Sequence, residues 1–249
     1  MTRTAVIEVS NVTKSFGGVV ANREISLSVP DGKITGLIGP NGSGKTTLFN
    51  SIVGYHPIDS GSIRFKGREI SDLNVQKIAR LGLLRTFQQT RIYGKLDCMQ
   101  NMLISIPHRH ASWIDMFAKH SPETQQRAEQ LLEFVGLYAK RRLLAGSLSF
   151  GQQKLLEFAM ALMNEPEVLM LDEPTAGINP TLINGLIDRL KRANSEFGIT
   201  MFVIEHNMRV IMNMADIVYC LAHGELLAQG VPEQIQNDQR VIDAYLGAH

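Results

Sequence analysis

The chain has 249 residues, of which 44% are hydrophobic and 20% are charged, so its composition is that of a globular protein and excludes wholesale disorder. Lysine and arginine total 25, aspartate and glutamate total 24, and the net charge of +1 lacks the basic excess of proteins that coat nucleic acid. Two cysteines, Cys98 and Cys220, are too few for a disulfide framework and indicate a reducing compartment. No apolar run resembles a signal-peptide core or approaches the ~20 residues that span a bilayer. We therefore expect a cytoplasmic protein that acts at a membrane only through a partner.

Apolar periodicity predicts an alternation of strands and helices along the chain. Strands are predicted, in order, over residues 6–9, 25–29, 34–38, 62–65, 168–171, 200–204 and 217–221. Helices are predicted from Lys45 to Gly54, from Pro122 to Gly136, from Phe150 to Asn164 and from Pro180 to Phe197. Such alternation predicts a parallel sheet with helices on its faces. From about 99 to 162 the pattern is helical with no convincing strand, which indicates a helical segment inserted into an α/β domain.

A glycine-rich segment follows the predicted strand 34–38 and fits the pattern G-x-x-x-x-G-K-[ST]. Glycines let the backbone curl so that several N–H groups face one anion, and the helix that begins at Lys45 points its positive end at the same place. Lys45 supplies a cation for the β and γ phosphates, and the Thr46 hydroxyl suits Mg²⁺. The alternative is a glycine-rich turn before a helix, which would not account for the complete pattern between a strand and a helix. The predicted ATP-binding residues are Gly39, Pro40, Asn41, Gly42, Ser43, Gly44, Lys45, Thr46 and Thr47.

Two adjacent acids end the apolar strand near residue 171. Because the chain also has a predicted phosphate-binding loop, the strand and its acids match a Walker B segment. Asp172 is predicted to hold Mg²⁺, and Glu173 is predicted to polarise the attacking water as general base. Successive side chains at a strand end point in different directions, so the two carboxylates can divide these tasks. The alternative is a strand followed by a solvated turn.

The segment from Leu148 to Gln153 begins a helix 22 residues before Glu173 (173 − 151) and resembles the signature motif of ATP-binding cassette (ABC) ATPases. Ser149 can cap that helix, while Phe150 stands where the family usually has a small residue. The resemblance implies a P-loop NTPase (RecA-like) core with a parallel sheet, an N-terminal antiparallel β subdomain and an inserted α-helical subdomain. It also implies a cassette dimer in which Ser149, Gly151 and Gln152 complete the ATP site of the partner.

Further segments resemble the remaining ABC elements in the expected order. Phe16 corresponds to the aromatic that stacks on adenine, although the family usually has tyrosine there and a core phenylalanine is the alternative. Gln88 corresponds to the Q-loop glutamine that senses Mg²⁺ and the γ phosphate, with Gln89 as an alternative by one register. Residues 176–180 resemble the D-loop. His206, 33 residues after Glu173 (206 − 173), corresponds to the switch histidine.

The resemblance covers the whole chain, which we expect to form one ABC ATPase domain over 1–249. Its nucleotide-binding core is expected over about 1–95 and 165–230, its helical signature subdomain over about 96–164, and its C-terminal helical tail over about 231–249.

Taken together, the segments at 15–18, 39–50, 85–88, 148–153, 176–180, 205–208 and 244–247 look like the ATPase subunits of branched-chain amino acid importers. The implied partners are membrane permease subunits, a second cassette that is identical or paralogous, and indirectly a solute-binding protein, with no nucleic acid. The implied location is the inner face of the cell membrane. The alternatives are the ATPase of another ABC system, such as a urea, amide or lipid transporter, and a soluble ABC ATPase acting on nucleic acid. A P-loop phosphotransferase would leave the signature and His206 unexplained.

Overall fold

The computed structural model describes residues 5–86, 92–106 and 121–246, and the chain divides into two compact units. The first unit comprises Met1–Arg85, Glu167–Pro174 and Leu190–His249, and the second comprises Thr86–Pro166 and Thr175–Arg189. All the strands described below belong to the first unit. The predicted catalytic Gln88 lies outside the described residues, as does its alternative Gln89.

Two sheets form the first unit. Their strands are β1 (Ala5–Phe16), β2 (Val19–Pro30), β3 (Ile34–Ile38), β4 (Ser60–Phe65), β5 (Arg68–Glu69), β6 (Leu83–Arg85), β7 (Val168–Asp172), β8 (Thr200–Ile204), β9 (Ile217–Ala222) and β10 (Glu225–Gly230). One sheet is antiparallel with the order β2-β1-β4-β5, and the other has the order β10-β9-β3-β8-β7-β6. The second sheet is parallel except for its edge pair of β9 and β10.

Strands β3, β7 and β8 are buried along their whole length, as parallel strands covered on both faces should be. Every strand that the sequence predicts is present. The sequence missed β5, β6 and β10, because segments of two or three residues carry no periodicity and β10 is half polar. The sequence also predicts β1 and β2 to be shorter than they are. Both run for 12 residues, and their polar stretches and register shifts interrupt the apolar alternation on which the prediction depends.

The helices are α1 (Lys45–Ile52), α2 (Val75–Arg80), α3 (Cys98–Ile104), α4 (Pro122–Phe134), α5 (Phe150–Leu162), α6 (Pro180–Phe197), α7 (Met208–Met214), α8 (Pro232–Gln236) and α9 (Gln239–Leu246). Among the described residues between 99 and 162 there is no strand, so the predicted helical insertion is confirmed there. None of these helices, over the ranges that the structure describes, has the length and hydrophobicity needed to cross a bilayer.

One hydrophobic core in the first unit joins both sheets to α1. Ile7 and Ile25 enter it from the antiparallel sheet, Phe202 from the parallel sheet, and Phe49 from α1, and all four are fully buried. The rings of Phe49 and Phe202 lie 4.8 Å apart between centroids. This packing fixes the start of α1 beside the end of β3, and so it positions the glycine-rich loop between them.

Candidate nucleotide site

The loop from Gly39 to Gly44 joins β3 to α1 and has a backbone that requires glycine at two places. Gly39 has φ +145°, and a Cβ on it would lie 2.1 Å from the Leu221 carbonyl oxygen. Gly44 has φ +96°, and a Cβ there would lie 2.3 Å from the Ala21 carbonyl oxygen. Any side chain at either position would force the backbone apart, so the glycines of the predicted pattern have a direct steric reason.

The N-terminus of α1 is shaped for an anion. Its cap residue is Gly44, which makes no side-chain cap hydrogen bond, so the first N–H groups of the helix keep their partial positive charge for a ligand. Lys45 is buried, and its Nζ donates to the carbonyl oxygens of Gly39 at 2.8 Å and Pro40 at 2.9 Å. Burial lowers the pKa of the Lys45 ammonium, and the charges of Glu173 and Asp172 oppose that shift. The arrangement favours arrival of a polyanion.

Asp172 ends β7 as a buried carboxylate with its two oxygens in different situations. Its Oδ2 accepts a hydrogen bond from Arg85 Nη2 at 2.5 Å, and the two side chains are only 1% and 6% exposed. Its Oδ1 is buried and has no hydrogen-bond partner among the residues that the structure describes. Arg85 also donates to Asn50 Oδ1 on the adjoining α1.

A buried carboxylate oxygen without a partner is costly unless a ligand satisfies it. Together with the exposed Thr46 at the start of α1, Asp172 Oδ1 provides the hard oxygen donors that Mg²⁺ prefers. The residues present therefore fit the metal that the sequence predicts.

Glu173 and His206 meet at the ends of two neighbouring strands. Glu173 has φ +50°, and its backbone N–H donates to the Ile204 carbonyl at 3.0 Å. Its Oε1 lies 2.7 Å from His206 Nε2. A positive φ is uncommon for glutamate, and here it occurs at the end of β7, directly after Asp172. The structure thus brings the predicted base and the predicted switch histidine into direct contact.

Phe16 ends β1 and is 44% exposed as a residue, so it is not a core phenylalanine. The ring makes an edge-to-face contact with His56 at 5.3 Å, and Lys14 Nζ lies 5.2 Å from its centroid. An exposed aromatic ring held by neighbours is suited to stacking, and its contact with adenine stays a prediction.

In the second unit, Ser149 caps α5 as the sequence predicts. Its hydroxyl accepts from Gln152 N at 3.4 Å, and Gln152 Oε1 accepts from Ser149 N at 3.2 Å, which completes a capping box. A serine hydroxyl that accepts in this way still has its own proton to donate to a ligand. A Cβ on Gly151 would meet only Leu182 and Ile178, at 3.4 Å and 3.6 Å, so sterics within this unit do not require that glycine.

Three residues that contact this machinery had no role in the sequence prediction. Arg85 pairs with Asp172, Asn22 Nδ2 donates to the Gly44 carbonyl at 3.1 Å, and the Tyr245 hydroxyl accepts from Gly39 N at 2.8 Å. The only sequence signal for Asn22 is an amide in the interior of a strand. Arg85 and Tyr245 lie in segments that carry the family resemblance, but the neighbouring residues in the sequence do not indicate which residues they contact.

A glycine-rich loop between a parallel strand and a helix, with acids at the end of another strand of that sheet, defines a P-loop nucleotide-binding protein of the α/β class. A family model described as "ABC transporter" matches residues 22–176, and one described as "Branched-chain amino acid ATP-binding cassette transporter" matches residues 225–249. The chain therefore belongs to the ABC transporter family.

Similar proteins agree over almost the whole length. The high-affinity branched-chain amino acid transport ATP-binding protein BraF of Pseudomonas aeruginosa is 38% identical, over 97% of this chain and 98% of that protein. LivG of Salmonella typhimurium, described in the same words, is 35% identical over 97% and 98%. A solved ATP-binding cassette of an ABC transporter in its ADP conformation has a TM-score of 0.87 at 31% identity and covers 98% of this chain and 99% of its own. A nucleotide-free cassette has a TM-score of 0.86 at 32% identity, over 97% and 99%. The predicted family and fold class are confirmed.

Proposed function

We propose that this chain is the ATP-hydrolysing subunit of an ABC importer that takes up branched-chain or related amino acids. The observation that carries the substrate class is the C-terminal match over 225–249, because the model that matches there is the one described for branched-chain amino acid transporters, whereas the model over 22–176 is described for ABC transporters in general. The relatives named for high-affinity branched-chain amino acid transport support the same assignment over the full chain.

Nucleotide binding starts at the phosphate loop. The uncapped N-terminus of α1 attracts the phosphates, and Lys45 exchanges the carbonyl oxygens of Gly39 and Pro40 for phosphate oxygens. Thr46 and Asp172 would hold Mg²⁺, with Gln88 as a further predicted ligand outside the described residues. When bound, Mg²⁺ neutralises phosphate charge and supports transfer. Arg85 holds Asp172 in place through its other oxygen.

Hydrolysis depends on Glu173, which takes a proton from the attacking water as general base. His206 holds one oxygen of that carboxylate at 2.7 Å and so fixes its orientation. The imidazole keeps a second nitrogen, and its side chain is 38% exposed, so it remains accessible to a γ phosphate. The Phe16 ring supplies the stacking surface for adenine.

Two cassettes are needed for a complete reaction. The helix N-terminus at Ser149, Gly151 and Gln152 is proposed to face the γ phosphate held by the other cassette. ATP then joins two cassettes, hydrolysis releases them, and the difference in binding free energy moves the permease subunits. The chain would be peripheral on the inner face of the membrane, and a solute-binding protein would deliver the solute.

The test is uptake in cells from which this gene has been deleted. Wild-type chain should restore uptake of radiolabelled leucine, isoleucine or valine, and Glu173→Gln at equal abundance should not. Urea uptake measured in the same cells is the control for a related solute. Equal leucine uptake with and without the wild-type chain, alongside a change in urea uptake, would overturn the amino acid assignment. Mass spectrometry of the complex purified with the tagged chain should recover permease subunits.

A further inference from the structure

We propose that Tyr245, near the C-terminal end, is a positioning residue that braces the phosphate-binding loop through the backbone of Gly39. The expected effect of Tyr245 on ATP binding rests on the proposed function. The brace itself is inferred from one hydrogen bond. The Gly39 N–H donates to the Tyr245 hydroxyl at 2.8 Å, across 206 positions of sequence. Both residues belong to the first unit.

Gly39 is the first residue of the loop and is held from several directions. Its carbonyl oxygen accepts from Lys45 Nζ at 2.8 Å, and its α-carbon packs so tightly that a Cβ would lie 2.1 Å from the Leu221 carbonyl oxygen. Its N–H has the Tyr245 hydroxyl as acceptor. Because Gly39 is buried, loss of that acceptor would leave an unsatisfied donor at the loop entrance.

The contacts of Gly39 differ in what happens when nucleotide arrives. Lys45 Nζ divides its three N–H groups among Gly39, Pro40 and Ser43, and it has to release at least one of them to reach a phosphate oxygen, so its hold on the loop weakens on binding. The Tyr245 hydroxyl instead accepts from the Gly39 N–H, which belongs to the preceding peptide group, and this contact does not involve Lys45. Tyr245 is therefore the hydrogen-bonding restraint on Gly39 that persists through binding, and it keeps the loop in one conformation beforehand.

The tyrosine is chemically and mechanically suited to this task. Burial raises the pKa of its hydroxyl to about 12, so the group stays neutral and does not place a negative charge beside the phosphates. It lies on α9, where Val241 is 1% exposed and anchors the helix. Residues 225–249 are the segment that matches the branched-chain subgroup model. The brace gives that segment a physical connection to the nucleotide site.

The experiment compares Tyr245→Phe with Tyr219→Phe. Each change removes only a hydroxyl, and Tyr219 offers a matched control because its hydroxyl also bonds backbone, accepting from Ser28 N at 3.2 Å and donating to Ser28 O at 2.8 Å. Tyr245→Phe should weaken Mg-ATP binding by about three- to tenfold, since a loop that samples other conformations must be ordered on binding. KM should rise by a similar factor with kcat little changed. Tyr219→Phe should lower thermal stability and leave both values as in the wild type.

Hydrogen exchange in the nucleotide-free protein tests the brace without any dependence on ATP. The peptide that contains Gly39 should exchange hydrogen faster in Tyr245→Phe than in the wild type. In Tyr219→Phe its exchange rate should equal that of the wild type. Equal exchange in wild type and Tyr245→Phe would overturn the proposal even if ATP binding fell. Failure of the wild-type chain to bind Mg-ATP would refute the proposed function instead, while the exchange comparison would still decide the brace.

Discussion

Arg85 reaches from the end of β6 to the end of β7 and pairs with Asp172 through one carboxylate oxygen. Within the described part of the chain, the other oxygen has no hydrogen-bond partner. The ion pair is buried, so salt screens its two charges much less than those of an exposed pair. The same guanidinium donates to Asn50 on α1. One side chain thus ties the predicted metal-binding carboxylate to the helix that follows the phosphate loop.

Arg85→Met should destabilise the fold strongly, because removal of one partner leaves a buried carboxylate unpaired, at a cost of about 3–5 kcal/mol. Urea denaturation measures the free energy of unfolding. Arg85→Met combined with Asp172→Asn should be less destabilised than Arg85→Met alone, since the uncompensated charge is gone. The control is Arg23→Met, which breaks an exposed pair with Glu225 and should change stability little. Wild-type stability of Arg85→Met would show that the pair does not hold Asp172.

The contrast between these residues shows what sequence reasoning could find. The phosphate loop, the acids and the signature are local patterns whose chemistry depends on neighbours a few positions away, and the sequence predicts them. Arg85 and its carboxylate are 87 positions apart, and Tyr245 and Gly39 are 206 apart. Such contacts depend on strand order and on where the C-terminal helix packs, and neither follows from periodicity. The positive φ of Glu173 could not be predicted from the sequence either, since glutamate does not favour that conformation.

Glu173→Gln should keep Mg-ATP binding and slow turnover by about two to four decades, because the base is lost while the shape is kept. Glutamine is the matched change, since its amide can still bond His206 at the distance seen for the carboxylate. The variant should accumulate as an ATP-bound dimer on a sizing column. Near-normal phosphate release by this variant would show that Glu173 is not the general base.

Lys45→Ala should weaken nucleotide binding itself, because the ammonium that faces the phosphates is removed. Mg-ATP at about one hundred times Kd stabilises a protein by about 2.7 kcal/mol, and a hundredfold loss of affinity reduces this to about 0.4 kcal/mol. The thermal shift on adding Mg-ATP is the measurement. Lys33→Ala is the control, since Lys33 pairs with Asp216 on a half-exposed surface and should keep the full shift. A full shift in Lys45→Ala would count against the phosphate-loop assignment.

Three exposed apolar residues of the second unit, Tyr93, Leu143 and Leu144, here called the apolar patch, are expected to dock a permease. The two segments that carry it are joined by backbone hydrogen bonds, including Ala145 N to Leu96 O at 2.9 Å, so the patch is presented on a fixed backbone. Changing both leucines to aspartate should abolish co-purification of the permease and leave Mg-ATP binding intact.

Charge reversal at Lys95, or at Arg91, which lies outside the described residues, is also expected to break assembly. Val75→Asp, which changes an exposed apolar residue of the first unit, is the control and should keep the complex. Retention of the permease by the double leucine variant would place the docking surface elsewhere.

The shared-site model makes the last prediction, which concerns Gly151. A carboxylate there should repel the γ phosphate held by the partner cassette, by about 4 kcal/mol for unit charges at 4 Å in an effective dielectric of about 20. Gly151→Asp should therefore bind ATP as an open monomer with wild-type affinity, and should neither dimerise with ATP nor hydrolyse it. Gly151→Asn has the same size without the charge and should retain far more dimer. Both variants should fold, since a Cβ at this position meets its neighbours at 3.4 Å or more.

Mixing two inactive variants, Gly151→Asp and Lys45→Ala, separates shared sites from independent ones. In the mixed dimer one site combines the intact phosphate loop of the first variant with the intact signature of the second, and the other site carries both lesions. ATPase activity should therefore return on mixing, in proportion to the mixed dimers formed, because one site has every group it needs. Activity that stays absent at every mixing ratio, although native mass spectrometry detects the mixed dimer, would mean that one intact site does not suffice. Normal hydrolysis by monomeric Gly151→Asp would contradict the shared site altogether, since the phosphate loop would then work without a partner's signature helix.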